Sequence, residues 1–235
     1  MKRTTLFAIL FVVAALAVVI AGYGIWRMQS APAPTFGLAT TASVDAGAQA
    51  QTGNAGNAGN AGIEIPDMAL GLVDAPITMI EYASFTCPHC GDFHNRVFDD
   101  LKADYIDTGQ VRFIFREVYF DRFGLWASIV ARCAGEEHFF AITDLLFERQ
   151  AQWARAGDPT AIAAEIRKTG RLAGLEDAAL ETCLADQQKA ESLIAWYQKN
   201  ASADNVTSTP TFVINGRQYS NRSYEELRAL LDGLL

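Results

Sequence analysis

Two cysteines separated by a proline and a histidine, Cys87-Pro88-His89-Cys90, are the residues of this 235-residue chain best suited to do chemistry. Paired thiols at this spacing can cycle between dithiol and disulfide, and the thiolate is the attacking form. The pair follows an apolar strand pattern and precedes a helical one, which places Cys87 at a helix start. Unpaired backbone N–H groups and the helix dipole favour a negative charge there, so the Cys87 thiolate is stabilised below the usual thiol pKa of about 8.5. Pro88 and His89 belong to the same candidate catalytic set, and a protonated His89 would add to that stabilisation. A stabilised reduced form makes the disulfide form a strong oxidant. A c-type haem attachment would need histidine directly after the second cysteine, where Gly91 stands. A zinc site would need four ligands, and Cys133 and Cys183 are lone cysteines on apolar helix faces rather than a second paired knuckle. An inert structural disulfide is the remaining alternative, and the helix-start position argues against it.

The elements that must hold this pair are written on both sides of it. Ile77 to Tyr82 (ITMIEY) is apolar on both faces, so it reads as a central buried strand in which Glu81 is a polar intruder. Phe93, Val97, Phe98, Leu101 and Tyr105 recur at helical spacing, and Gly109 closes that run. Val111 to Phe115 is a second strand, completing a βαβ unit. A mostly helical block follows. Trp126, Ile129, Val130 and Cys133 form one stripe, Asp158-Pro159 opens a helix that Gly170 ends, and Leu180, Cys183 and Leu184 form another. His94 and His138 read as ordinary surface or helix residues with no role. After Asn200 the pattern returns to sheet. Thr211 to Ile214 is a strand, Asn215-Gly216 a hairpin turn and Arg217 to Tyr219 the return. Ser223 with Glu226 makes a capping box that opens a last helix, Tyr224 to Leu234.

Half the residues are hydrophobic and 20% are charged, enough for one mid-sized domain with an appendage. The formal charge is −8, with +2 up to Gly62 and therefore −10 on the remainder. Such a balance argues against nucleic acid as a partner, since phosphate binding needs clustered cations. Lys2 and Arg3 precede an uncharged apolar run of 21 residues, Leu6 to Trp26. About 20 suffice for a helix to span the hydrocarbon core, whereas a signal peptide has a core of only about 7–15. Length thus favours an uncleaved signal anchor in residues 1–30 over a removed signal peptide, with the N-terminus in the cytoplasm. Either way the remainder is exported, to a compartment where disulfides persist. Residues 31–62, ending in GNAGNAGNAG, have almost nothing to bury and form a flexible linker spanning about 30 Å root-mean-square.

From Ile63 to Leu235 the chain resembles the DsbA-like thiol-disulfide oxidoreductases. EYASFTCPHC at Glu81 to Cys90, VTSTPTFVING at Val206 to Gly216 and the closing SYEEL carry the resemblance. It implies an α/β thioredoxin fold with a large helical insertion, about 121–203, that matches in pattern more than in letters. By this likeness Cys87 is the exposed nucleophile that forms a mixed disulfide, and Cys90 is the buried resolving thiol. Pro210 is the cis-proline facing them, and Thr209 presents its backbone to an extended substrate chain as an added strand would. Glu81 matches the family's buried acid, which burial would keep protonated more readily and which could exchange protons with Cys90. Cys133 and Cys183 match the second disulfide of one branch, a bridge closing a loop of about fifty residues; two buried reduced thiols are the plain alternative.

The implied activity is a monomeric oxidase that donates its Cys87 to Cys90 disulfide to newly exported polypeptides in the periplasm, held at the inner membrane by the anchor. A quinone-linked membrane reoxidase of DsbB type would restore the disulfide, and no cofactor or metal is implied. Threonine rather than valine before Pro210 also occurs in disulfide isomerases, so isomerase or reductase is the competing function. Isomerases of this group carry an N-terminal dimerisation module, which a Gly-Asn-Ala tether cannot supply. A non-catalytic chaperone or metal-binding domain is the rival from a different class.

Overall fold

The computed structural model describes residues 63–235. The Leu6 to Trp26 run and the linker lie outside them; among the described residues no helix is long and apolar enough to cross a membrane.

Strands β1 (Met68–Leu70), β2 (Ile77–Ala83), β3 (Val111–Glu117), β4 (Thr211–Ile214) and β5 (Arg217–Ser220) form one sheet in the order β1-β3-β2-β4-β5. The central strand β2 runs parallel to β3 and antiparallel to β4. Its Ile77, Met79, Glu81 and Ala83 face the main core, and Tyr82 on the other face packs with Val118, Ala201 and Val213. A strand buried on both faces has no alternation to show, as its near-continuous apolar letters indicate. The sequence reading missed β1, a three-residue edge strand too short to carry a period.

The β2-to-β3 crossover is a helical run of α1 (Pro88–Phe93), a π-helical turn (His94–Phe98), α2 (Asp99–Leu101) and a second π-helical turn (Lys102–Ile106). The helical insertion comprises α3 (Arg122–Cys133), α4 (Glu136–Glu148), α5 (Gln150–Trp153), α6 (Pro159–Leu172), α7 (Asp177–Ala185) and α8 (Gln187–Ala203). Helix α9 (Tyr224–Asp232) closes the fold behind the Ser223–Glu226 capping box. Asn215 and Gly216 both have positive φ, 45° and 79°, as a two-residue hairpin turn requires.

Gly170 does not end α6, contrary to the sequence reading. It lies buried within the helix, where a Cβ would stand 2.7 Å from Leu180 Cδ1 and 3.0 Å from Val130 Cγ1, so it permits a close helix crossing. The chain reverses at Gly174, with φ +90°. The face of α3 read as apolar also carries a buried charge. Arg132 donates to Glu117 of β3 through Nε at 2.5 Å and Nη2 at 2.7 Å, joining the insertion to the sheet.

Candidate active site

The loop leaving β2 delivers Cys87 to the N-cap of α1 in an extended conformation, with Pro88 as the first helical residue. Its N–H donates to Ser84 O at 3.0 Å, and its carbonyl accepts from Gly91 N at 3.1 Å. Proline has no N–H to leave unsatisfied at a helix start, and the next two amides, of His89 and Cys90, are directed at the Cys87 sulfur. Cys87 is half-buried, Pro88 and His89 are exposed, and Cys90 is closed to solvent. Both thiols are free.

The two sulfurs are driven in opposite directions. The hydrogen bond from the Cys90 thiol is the largest influence on Cys87. With Thr209 and the two amides it outweighs partial burial and pulls the Cys87 pKa down to about 5. Burial pushes Cys90 far above the usual thiol range, reinforced by its hydrogen bond to Cys87 and by the nearby Glu81 charge. His89 acts on the sulfur through its backbone N–H, while its ring stands in solvent.

Opposite the dithiol, the Thr209–Pro210 peptide bond is cis. The Cys87 thiol donates to Thr209 O at 3.5 Å. Thr209 Oγ1 is buried with no hydrogen-bond partner, and its hydroxyl is one of the groups that lower the Cys87 pKa. Pro210 is buried, and Thr209 remains partly accessible.

Glu81 is fully buried, between Phe115 of β3 and Phe212 of β4 in the sheet register. Its Oε2 lies 2.8 Å from His94 Nε2, one turn beyond Cys90. His94, read from sequence as an ordinary residue, is buried and stacks on Phe147 at 4.2 Å between ring centroids. It begins the first π-helical turn, a distortion of the kind that accompanies functional sites. Glu81 Oε1 and His94 Nδ1 are buried without a protein partner.

The insertion reaches this site at two points that sequence reasoning missed. Asp121 caps α3 through Oδ1 and accepts from Thr86 Oγ1 at 2.8 Å through Oδ2. Gln150 donates to the carbonyls of Phe85 and Cys87. Farther away, Cys133 and Cys183 form a disulfide joining α3 to α7. His138 is exposed. Among the described residues no group of three or more His, Cys, Asp and Glu side chains could hold a metal ion.

Residues 64–233 match a family model described as Thioredoxin. A Rickettsia bellii chain named as a protein-disulfide oxidoreductase is 34% identical over 171 residues, covering 72% of this chain and 65% of that one. The match thus spans a little less than two thirds of that relative's length. Disulfide bond formation protein D of Bacillus subtilis is 28% identical over 178 residues, 69% of this chain and 74% of that one. The crystal structure of Wolbachia pipientis alpha-DsbA1 superposes with a TM-score of 0.66 at 28% identity, covering 73% of this chain and 92% of that one.

Proposed function

Because the chain belongs to the thioredoxin family, and within it to the DsbA-like group, we propose that it is a thiol-disulfide oxidase acting on exported polypeptides. One observation carries the reading, the opposed behaviour of two neighbouring sulfurs: a half-exposed Cys87 pulled down to about 5 and a buried Cys90 pushed up. A dithiol whose reduced form is held as a stabilised thiolate gives up its disulfide readily.

In the oxidised protein a substrate thiolate attacks Cys87 Sγ. The Cys87–Cys90 bond breaks, a mixed disulfide forms on Cys87, and the electron pair passes to Cys90 Sγ, which takes up a proton. The high proton affinity of Cys90 drives that uptake, and the buried Glu81–His94 pair is the nearby source. A second substrate thiolate then attacks the substrate sulfur of the mixed disulfide and releases Cys87 as a thiolate. The substrate has lost two electrons, which the protein now holds as its dithiol. Thr209 O, beside the nucleophile on a partly accessible residue, is the acceptor that an extended substrate backbone would meet.

Exported location and membrane tethering follow from the 21-residue apolar run and its cationic start, and a quinone-linked DsbB-type membrane protein fits as the electron acceptor. The Thr209 hydroxyl is the feature that favours isomerase activity as a second reading.

The purified full-length chain tests the proposal. Thiolate absorbance should titrate near pH 5, and the oxidised protein should introduce disulfides into a reduced unfolded peptide, with Cys87→Ser inactive. A Cys87 protonated at pH 7, or full activity in Cys87→Ser, would sink the oxidase reading. Refolding of a scrambled substrate faster than oxidation of a reduced one would favour the isomerase. Release of the protein from membranes by alkaline carbonate would contradict the anchor.

A further inference from the structure

Helix α5 is four residues long, and its first residue reaches out of the insertion into the loop that carries the nucleophile. Gln150 Nε2 donates to Phe85 O at 2.8 Å and to Cys87 O at 2.8 Å. A side-chain amide has two N–H donors, so both are engaged on carbonyls that flank Thr86. The oxygen end of the same amide lies against α1. A Cβ on Gly91 would stand 2.6 Å from Gln150 Oε1 and 3.1 Å from its Cδ. Gly91 is buried and inside a helix, where glycine is a poor choice for the backbone, so the space it leaves is the reason it suits this position.

The Cys87 carbonyl is therefore held from two sides. Gly91 N–H reaches it from within α1 at 3.1 Å, and Gln150 reaches it from the insertion. The peptide plane between Cys87 and Pro88 determines how the following amides, those of His89 and Cys90, are aimed at Sγ. Gln150 makes no hydrogen bond with that sulfur, so any influence it has must pass through the position of the turn.

We propose that Gln150 is a positioning residue, through which the helical insertion fixes the active-site turn, and that Gly91 supplies the space its amide needs. The proposal rests on Cys87 and Cys90 being the redox pair. A latch that only joined two parts of the fold would stabilise oxidised and reduced protein alike. A latch that aims the amides acts on the Cys87 thiolate and so distinguishes the two states.

The test uses Q150L, Q150E, G91A and the double variant Q150L/G91A in the full-length chain. Q150L keeps most of the volume and removes both donors. It should raise the Cys87 pKa, read from thiolate absorbance, by about one unit, and move the glutathione equilibrium about tenfold toward the protein disulfide. Q150E should shift further in the same direction, because a carboxylate would face two carbonyl oxygens. G91A should reproduce the Q150L shift by displacing the amide, and the double variant should add nothing to Q150L. An unchanged thiolate pKa and glutathione equilibrium in Q150L, or shifts of Q150L and G91A that simply sum, would overturn the proposal. If Q150L fails to fold, G91A decides alone, and an unmoved pKa there is equally fatal. Failure of the redox reading would be visible separately, in a wild-type protein whose Cys87 is protonated at pH 7 or which cannot oxidise a reduced peptide.

Discussion

His94 Nε2 stands 2.8 Å from Glu81 Oε2 near the buried thiol of the site, and both side chains are closed to solvent. Phe93, Phe98, Phe115 and Phe147 surround the imidazole and shut bulk solvent away from it. Breaking a buried pair from one side strands the other group, at a cost of about 3–5 kcal/mol, whereas replacing both with apolar groups is often near neutral. Glu81→Leu and His94→Leu should therefore each lower unfolding free energy by about that amount. Glu81→Leu combined with His94→Leu should recover most of it. Denaturant unfolding of the four proteins measures the cycle, and a double variant as unstable as the two singles combined would show that the pair is not coupled.

Proton supply to Cys90 gives a second, kinetic expectation. Glu81→Gln preserves volume and a hydrogen bond toward His94 but removes the titrating group. A positioned general acid contributes about 10²-fold or more, so formation of the mixed disulfide, the step in which Cys90 leaves and takes up its proton, should slow by about that factor. Stopped-flow oxidation of a dithiol peptide measures it, and an unaltered rate would remove Glu81 from the proton path.

Most of the sheet and the position of Cys87 were legible because they depend on local rules: a doubly apolar strand, helical spacing directly after the cysteine pair, an Asn-Gly turn and a capping box. Contacts between distant segments were not legible. Gln150 is 63 residues from Cys87, and an isolated glutamine carries no period or motif. His94 did leave a signal. It lies four residues from Cys90 and from Phe98, on the buried stripe of its own helix, and a buried Glu81 needs a partner. Gly170 misled because glycine both ends helices and lets them cross closely, and letters alone do not distinguish the two uses.

The low Cys87 pKa also predicts how stability depends on pH. A group whose pKa falls on folding contributes stability that is complete above its unfolded pKa, about 8.5, and lost as pH falls through the folded value, about 5. The reduced protein should gain melting temperature relative to Cys87→Ser as pH rises across that window. The oxidised protein, with no thiol at this position, should show no such gain. Calorimetry of the reduced, oxidised and Cys87→Ser proteins from pH 4 to 9 checks the sign, and parallel curves for reduced and oxidised protein would refute it.

Thr209 separates side-chain from backbone effects on the same sulfur. Thr209→Val keeps the shape and the carbonyl that accepts from Cys87 but removes the Oγ1 hydroxyl that helps lower its pKa. With one donor gone the thiolate loses support, so the Cys87 pKa should rise by about half a unit to one unit and the disulfide should become less oxidising. Thiolate titration and equilibration with glutathione must move together, and a pKa that stays near 5 would assign the stabilisation to the backbone and Cys90 alone.

The bridge between Cys133 and Cys183 is separate in space and should be separate in effect. It closes a loop of 50 residues, worth about 4 kcal/mol in the chain-entropy model. It ties α3 to α7, while the groups that act on Cys87 come from Cys90, His89 and Thr209. Cys133→Ser should therefore lower the melting temperature of the protein by several degrees or more and leave the rate of peptide oxidation per folded molecule nearly unchanged. Loss of oxidase activity without a fall in melting temperature would instead mean that this disulfide takes part in electron transfer, since a purely architectural bridge cannot affect turnover while leaving stability untouched.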